Sequence, residues 1–289
     1  MEIEQIIYGL CAISDYSNII SYTSTKKYRI FKQNNLTIYK SKYKSACSDA
    51  VILLSGGFVL EFASYIRKFI DDMKFECDIY VCENKDTYNM LCINDVANFI
   101  DSLDYNHVTI VGFSMGGVLG SHALAQTRHI KTTLVTIDTP FNITRSGPDI
   151  YDNFKIWRID IMFLYHVAVK QCKTENYFDF LTTLTFDGYA EFIYKHYKMS
   201  RERFLFVNKM NPNLRNCKII SFNTIHDMLV VTCNNQIHID EFRRTLHNTS
   251  TIIHCNFDTF QSGHCTVWNQ SHNSLIVCNQ IRAALFIEP

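Results

Sequence analysis

The sequence predicts an α/β fold, with a mostly parallel, doubly wound sheet that carries helices on both faces. Compact apolar runs typical of buried parallel strands occur at residues 50–54 and 108–111. Each run is followed by a glycine-containing turn and then by a stretch with the spacing of an apolar helix face. Strands that alternate with helices imply right-handed crossovers, and such crossovers produce a largely parallel sheet.

The elements follow one another in a regular order on both sides of one long interruption. Residues 28–33 and 36–40 alternate in strand fashion around Asn34-Asn35, which predicts a β-hairpin. Further strands are predicted at 50–54, 77–82, 108–111, 131–138, 218–222 and 251–256. Helices are predicted at 60–72, 88–103, 234–246 and 274–286. Between 141 and 215 the alternation lapses, and the pattern there is typical of helices rich in large aromatic rings.

Composition excludes several classes of function. The chain has 289 residues, of which 47% are hydrophobic and 19% charged, as in a globular protein. Lys+Arg and Asp+Glu both number 28 and no basic run occurs, so we expect no nucleic-acid partner. No apolar stretch has the roughly 18 residues that a transmembrane helix needs. The first residues are acidic where a signal peptide would be basic, so we expect a soluble, cytoplasmic protein. The abundance of Asn, Ile, Tyr and Lys is typical of AT-rich genomes such as those of some large DNA viruses, which makes a viral protein of the host cytoplasm one alternative.

The cysteines point to buried thiols. There are 11, an odd number, and none forms a C-x-x-C pair. Zinc sites usually need clustered ligands, and disulfides are rare in reducing compartments. We therefore expect neither a metal nor another cofactor.

The most informative stretch, residues 108–125, reads VTIVGFSMGGVLGSHALA. A buried-type strand runs directly into a turn with Ser114 at its apex, and an apolar helix follows. Gly112 and Gly116 stand two residues on either side of Ser114, where they remove Cβ atoms that would clash in a tight turn. Such a turn exposes a serine hydroxyl at the carboxyl end of a strand, beside the positive end of a helix dipole. Another α/β fold could contain the same turn without any chemistry.

This stretch resembles the nucleophile elbow of the α/β-hydrolase superfamily. The run Gly112-Phe113-Ser114-Met115-Gly116-Gly117 is particularly similar to monoacylglycerol lipase and lysophospholipase-like serine esterases, and the resemblance covers roughly residues 28–286. Two departures weaken the narrower match. Residues 82–86 lack the Asp and glycine pattern common after the fourth strand, and Ser55 stands where relatives often have His.

The resemblance implies a catalytic triad in the chain order serine, acid, histidine. His264, in Gln261-Ser262-Gly263-His264 after the predicted strand 251–256, is the expected base. Asp227, after the predicted strand 218–222, is the expected acid, because most family members carry this carboxylate there. Two alternatives stay open. Asp138 ends the predicted strand after the elbow, and Asp258 lies in the same loop as His264.

The resemblance also implies an oxyanion hole made of two backbone N–H groups. One is expected from Met115, directly after the nucleophile, and the other from Gly57 or Phe58 in the loop after the third strand. Residues 141–215 stand after the sixth strand, where α/β-hydrolases carry a cap. We therefore expect a core domain of residues 1–140 and 216–289 and a helical cap of residues 141–215.

The function implied is that of a serine hydrolase, which cleaves an ester or thioester of an apolar acyl chain through an acyl-enzyme. Its partner would be a small, lipid-like acyl ester, met in transient contact with a membrane surface. The alternative is a catalytically silent hydrolase fold that binds a ligand or a protein. Candidates for all three triad residues, in the expected order, favour the enzyme.

Overall fold

The computed structural model describes residues 28–41, 48–54, 69–70, 73, 77–84, 93–128, 131–139, 214, 217–224, 252–257 and 271–286. Eight strands lie in this part of the chain: β1 (Tyr28–Gln33), β2 (Leu36–Ser41), β3 (Asp49–Leu54), β4 (Asp78–Asn84), β5 (His107–Phe113), β6 (Lys131–Ile137), β7 (Cys217–Thr224) and β8 (Ile252–Phe257). The longer helices described are α1 (Ile93–Asp101), α2 (Met115–Gln126) and α3 (Ser271–Phe286), and Phe69, Ile70 and Met73 are also helical.

The eight strands form one sheet in the order β1-β2-β4-β3-β5-β6-β7-β8. The β1–β2 and β2–β4 pairs are antiparallel, and every other pair is parallel. The predicted doubly wound, mostly parallel sheet is confirmed. Because β3 to β8 run in one direction, their carboxyl ends meet at one side of the sheet, which we call the carboxyl edge.

The predicted hairpin joins β1 and β2 around Asn34-Asn35. Asn34 has a φ of 53°, in the left-handed region that asparagine tolerates better than most residues. This accounts for a tight turn at this point of the chain.

Helices cover both faces of the sheet, and a separate hydrophobic core fills each side. One core contains buried residues of α1 and α2, such as Phe99 and Leu119, against alternate residues of the strands, such as Ile52 and Ile110. The other contains Phe69, Ile70 and Met73 together with three residues of α3, packed on the remaining strand residues. Since the central strands bury both sets of side chains, they appear in the sequence as continuous apolar runs.

Several boundaries differ from the sequence prediction by one to three residues. The helix expected over 88–103 ends at Asp101, because the Ser102 amide and hydroxyl both donate to the Phe99 carbonyl, at 3.0 and 2.7 Å, and close the last turn. β6 ends at Ile137 and not at Asp138, whose φ of 47° takes it out of the extended conformation. α3 begins at Ser271, earlier than the predicted residue 274.

A polar cluster ties strands together at the end of the sheet opposite the carboxyl edge. The Lys40 Nζ atom lies 2.7 Å from Asp78 Oδ2, and the Tyr105 hydroxyl donates to the same oxygen at 2.5 Å. The Tyr80 and Tyr105 hydroxyls are 2.8 Å apart. Burial alone would lower the pKa of Lys40, but its interactions with Asp78 and Tyr80 outweigh that effect and raise it. The cluster is therefore a structural link between β2, β4 and the segment before β5.

The predicted domain division is not covered by the described residues. The expected cap, residues 141–215, lies outside them except for Leu214, which is buried in the core beside α1 and α2. The predicted helix at 234–246 and residues 1–27 also lie outside them.

Candidate active site

The turn between β5 and α2 has the geometry that the sequence predicts for an elbow. Ser114 has φ 50° and ψ −125°, a conformation that residues other than glycine rarely adopt. Its amide donates to the carbonyl of Ile137 in β6 at 2.8 Å, and its carbonyl accepts from the Gly117 amide at 3.1 Å. Hydrogen bonds on both sides thus hold the serine in its strained conformation.

Ser114 is more exposed to solvent than the residues around it. From Val108 to Leu124 every residue is buried except Ser114, which is partly exposed. It occupies the N-cap position of α2, but its side chain makes no capping hydrogen bond. Serine is among the best capping residues, but the Ser114 hydroxyl is not used to cap α2.

Close contacts explain two of the glycines beside Ser114, Gly112 and Gly117. A Cβ atom on Gly112 would lie 2.4 Å from the Gly117 Cα atom and 2.5 Å from the Gly116 carbonyl carbon. This confirms that a side chain at Gly112 would clash in the turn. A second contact was not predicted, since a Cβ atom on Gly117 would lie 2.1 Å from Thr139 Oγ1. Thr139 lies just after β6, so the elbow packs against the end of the next strand as well as against its own helix.

Met115 is the first residue of α2 and is 8% exposed. Amides in the first turn of a helix have no acceptor within the helix, and they concentrate the positive end of its dipole. This is the environment in which a developing oxyanion is stabilised. The remaining predicted site residues, Gly57, Phe58, Asp227 and His264, lie outside the described residues.

Asp138, directly after β6, is an acidic residue beside the elbow that lies within the described residues. It is 1% exposed and its φ is 47°. Its amide donates to the Phe222 carbonyl of β7 at 2.9 Å, in the same way that the Ser114 amide donates to Ile137. The other alternative acid, Asp258, lies outside the described residues.

His122, in the middle of α2, has no role in the expected triad. The residue is 5% exposed, and burial lowers its pKa from 6.5 to about 4. The imidazole is therefore neutral at physiological pH. Burial has the opposite effect on thiols and raises the pKa of Cys217 to about 11, so that this cysteine stays protonated and unreactive.

In the part of the chain that the structure describes, no three or more His, Cys, Asp or Glu side chains are grouped as a metal site would require. Nor does any helix there have the length and apolarity to cross a membrane.

Solved structures of the same architecture are numerous at low sequence identity. The chain is similar to Francisella BioJ, a virulence factor, with a TM-score of 0.61, 14% identity and coverage of 94% of this chain and 89% of the other. It is similar to carboxylesterase CesB of Bacillus subtilis, with a TM-score of 0.56, 14% identity and coverage of 97% of this chain and 99% of the other. It is also similar to a bacterial membrane phospholipase A, with a TM-score of 0.56, 13% identity and coverage of 96% of this chain and 90% of the other. No family model and no curated protein matches the sequence.

The strand order, the parallel core with helices on both faces and these neighbours agree with one another. The chain has the α/β-hydrolase fold. At 13–14% identity the likeness concerns the fold, and the activity has to be argued from this chain's own residues.

Proposed function

We propose that this protein is a serine hydrolase that cleaves carboxylic esters, with Ser114 as the nucleophile. The observation that carries the proposal is the combination of strain and exposure at Ser114. Its backbone is held at φ 50° and ψ −125°, and it is the partly exposed residue in an otherwise buried run. Strain of this kind costs about 1–3 kcal/mol and persists mainly where function requires it.

The proposed reaction uses the residues that the sequence analysis named. His264 takes the proton of the Ser114 hydroxyl as the oxygen attacks the ester carbonyl carbon, and Asp227 orients the imidazole. The amides of Met115 and of Gly57 or Phe58 would stabilise the negative oxygen of the tetrahedral intermediate. The imidazolium then gives its proton to the departing alcohol, which leaves an acyl-enzyme. Water, deprotonated by the same histidine, attacks this ester and releases the acid and Ser114.

For the substrate we propose a small, lipid-like ester with an apolar acyl chain. The aromatic-rich composition of residues 141–215 supports this, if they form a cap over the carboxyl edge. The names of the structural neighbours, which include a carboxylesterase and a phospholipase A, point the same way. Turnover of p-nitrophenyl esters should then increase from acetyl to medium chains, because each buried methylene contributes about 0.8 kcal/mol. A strict preference for the acetyl ester would contradict this substrate class.

A fluorophosphonate probe tests the proposal, because it reacts covalently with activated serines. The wild-type protein should be labelled, and the modified residue should map to Ser114. Ser114→Ala should abolish labelling and ester hydrolysis with little change in thermal stability, because the partly exposed hydroxyl contributes little to packing. Ser121→Ala is the matched control. Ser121 is buried in the same helix, and its hydroxyl donates to the Val118 carbonyl, so this variant should be labelled normally. A folded wild-type protein that is neither labelled nor active would favour the catalytically silent alternative.

A further inference from the structure

Ser114 is connected to the end of the neighbouring strand β6 in two ways. Its own amide donates to the Ile137 carbonyl at 2.8 Å. Its carbonyl accepts from the Gly117 amide at 3.1 Å, and Gly117 lies against the side chain of Thr139, two residues beyond Ile137. The first turn of α2 therefore links Ser114 to Thr139. The distance between Gly117 and Thr139 decides how closely this turn approaches β6.

The oxygen of Thr139 is the atom of its side chain that comes closest to the helix turn. Measured from the place of a Cβ atom on Gly117, Thr139 Oγ1 lies at 2.1 Å, Cγ2 at 2.8 Å and Cβ at 3.0 Å. Because a Cβ atom is about 1.5 Å from its Cα atom, Oγ1 is at most about 3.6 Å from the Gly117 Cα atom, the range of a weak Cα–H···O contact. The side chain of Thr139 thus fills the space that a side chain at position 117 would need, with its oxygen foremost.

The hydroxyl of Thr139 is unfavourable for the stability of the fold. The residue is 1% exposed, and its Oγ1 has no hydrogen-bond partner among the described residues. A buried hydroxyl without a partner destabilises a protein, and valine has nearly the same shape without that cost, so packing alone would favour valine. What the oxygen offers and a methyl group does not is a smaller radius and a partial negative charge beside the positive end of α2.

We propose that Thr139 is a positioning residue, whose hydroxyl oxygen sets the place of the first turn of α2 and so of the Met115 amide beside Ser114. The proposal rests on the function proposed above, in which that amide stabilises the negative oxygen of the tetrahedral intermediate. Such stabilisation needs a donor held at hydrogen-bond distance from the developing charge, and a misplacement of about 1 Å costs about 10²-fold in rate. Thr139 acts through Gly117 and not on the substrate.

The test changes the oxygen and the methyl group of Thr139 one at a time. Thr139→Val replaces the oxygen by a methyl group, and Thr139→Ser keeps the oxygen and removes the methyl group. Thr109→Val is the matched control, since Thr109 Oγ1 is also buried without a partner among the described residues. Thr109 faces away from α2, because Val108 and Ile110 on either side of it belong to the core that contains α2. Each variant is measured for melting temperature, for kcat and KM on a p-nitrophenyl ester, and for the rate of fluorophosphonate labelling at Ser114.

Packing and positioning predict opposite orders of activity for the two Thr139 variants. Thr139→Val should melt close to the wild-type temperature, because removal of the unpartnered hydroxyl offsets the strain of the larger methyl group. Its kcat and labelling rate should fall by about tenfold with KM unchanged, because the oxyanion donor is displaced and substrate binding is not. Thr139→Ser should melt about 2–4 °C lower, because a buried methyl group is lost, and should keep kcat and labelling within about twofold of wild type.

Thr109→Val should keep full activity. The inference is overturned if Thr139→Val keeps kcat and labelling within about twofold of wild type, or if Thr139→Ser loses as much activity as Thr139→Val. It is also overturned if activity falls only together with the melting temperature.

Gly117→Ala tests the same contact from the side of the helix. A Cβ atom on Gly117 would overlap Oγ1 and Cγ2 of Thr139, and Thr139→Ala removes both of these atoms and leaves its own Cβ at 3.0 Å. Gly117→Ala alone should lower the labelling rate by about 10²-fold, whereas in the Thr139→Ala background the same change should cost about tenfold or less. Equal losses in the two backgrounds would show that Gly117 and Thr139 act independently, which overturns the inference.

The labelling data also separate this inference from the proposed function. Labelling at Ser114 in the wild-type protein, with an unchanged rate in Thr139→Val, overturns the role of Thr139 and leaves the proposed function intact. Absence of labelling at Ser114 in the wild-type protein overturns both.

Discussion

Gly112, near the end of β5, and Gly117, in the first turn of α2, are in direct backbone contact. A Cβ atom on Gly112 would come within 2.4 Å of both the nitrogen and the Cα atom of Gly117. Backbone atoms at that point cannot move aside as the end of a flexible side chain can. The strand and the helix can approach each other closely enough to form the elbow because Gly112 has no side chain.

Gly112→Ala should therefore disrupt the elbow itself. We expect a loss of about 3 kcal/mol in the free energy of unfolding, because overpacking against backbone must be relieved by moving the strand or the helix. Labelling at Ser114 should fall with it. Denaturant unfolding and probe labelling measure the two effects.

Gly120→Ala is the control for this variant. A Cβ atom there would meet side-chain methyl groups, at 2.8 Å for Ile110 Cγ2 and 3.2 Å for Leu134 Cδ1. The gain in helix propensity, about 1 kcal/mol, offsets part of that strain. Gly120→Ala should therefore lose less stability than Gly112→Ala and keep its labelling. Equal losses in the two variants would contradict a special role for the contact between Gly112 and Gly117.

The elbow could be predicted from sequence because its information is local. The strand, the two glycines, Ser114 and the helix all lie within residues 108–125, and turn chemistry acts over that distance. The hairpin at Asn34-Asn35 was predicted for the same reason. The order of the parallel strands was open, because register and neighbours depend on contacts between distant segments.

Two features of the site could not be predicted from the sequence, because they depend on contacts between neighbouring strands. The left-handed conformation of Asp138 arises where β6 meets β5 and β7. The contact between Gly117 and Thr139 joins the first turn of α2 to the residue that follows Asp138. The position of Asp138 at the end of the strand after the elbow made it an alternative acid. That position gave no indication that Asp138 is buried.

The buried threonine hydroxyls of the sheet lead to a second prediction, which concerns the free energy of unfolding and not activity. Thr109 in β5 is 0% exposed and its Oγ1 has no partner, whereas Thr133 in β6 has its Oγ1 3.0 Å from His107 Nε2. Thr109→Val should increase the free energy of unfolding by about 1 kcal/mol, because an unsatisfied hydroxyl is replaced by a methyl group of similar size. Thr133→Val should decrease it by about 1 kcal/mol, because it removes a partner of His107. Urea unfolding of both variants at pH 7 measures the difference, and a shift of the same sign in the two would show that hydrogen bonding does not decide it.

His122 predicts how stability depends on pH. Burial lowers its pKa from 6.5 to about 4, so the folded protein favours the neutral ring more strongly than the unfolded chain does. Stabilisation from this group is complete above the unfolded pKa and is lost as the pH falls from 6.5 towards 4. One pKa unit corresponds to about 1.4 kcal/mol, so the loss at pH 4 amounts to about 3 kcal/mol.

The His122→Gln variant tests this dependence, because glutamine is polar and does not titrate. Its stability at pH 7 is expected to be somewhat lower than that of the wild-type protein, but the decrease from pH 7 to pH 4 should be smaller by about 2–3 kcal/mol. His107→Gln is the comparison, since burial also lowers the pKa of His107 but its ring is partly exposed and bonded to Thr133. The difference between the urea-unfolding curves of wild type and His122→Gln isolates this histidine, because burial is what lowers its pKa. Parallel curves for wild type and His122→Gln would mean that the His122 ring takes up its proton in the folded protein as easily as in the unfolded chain.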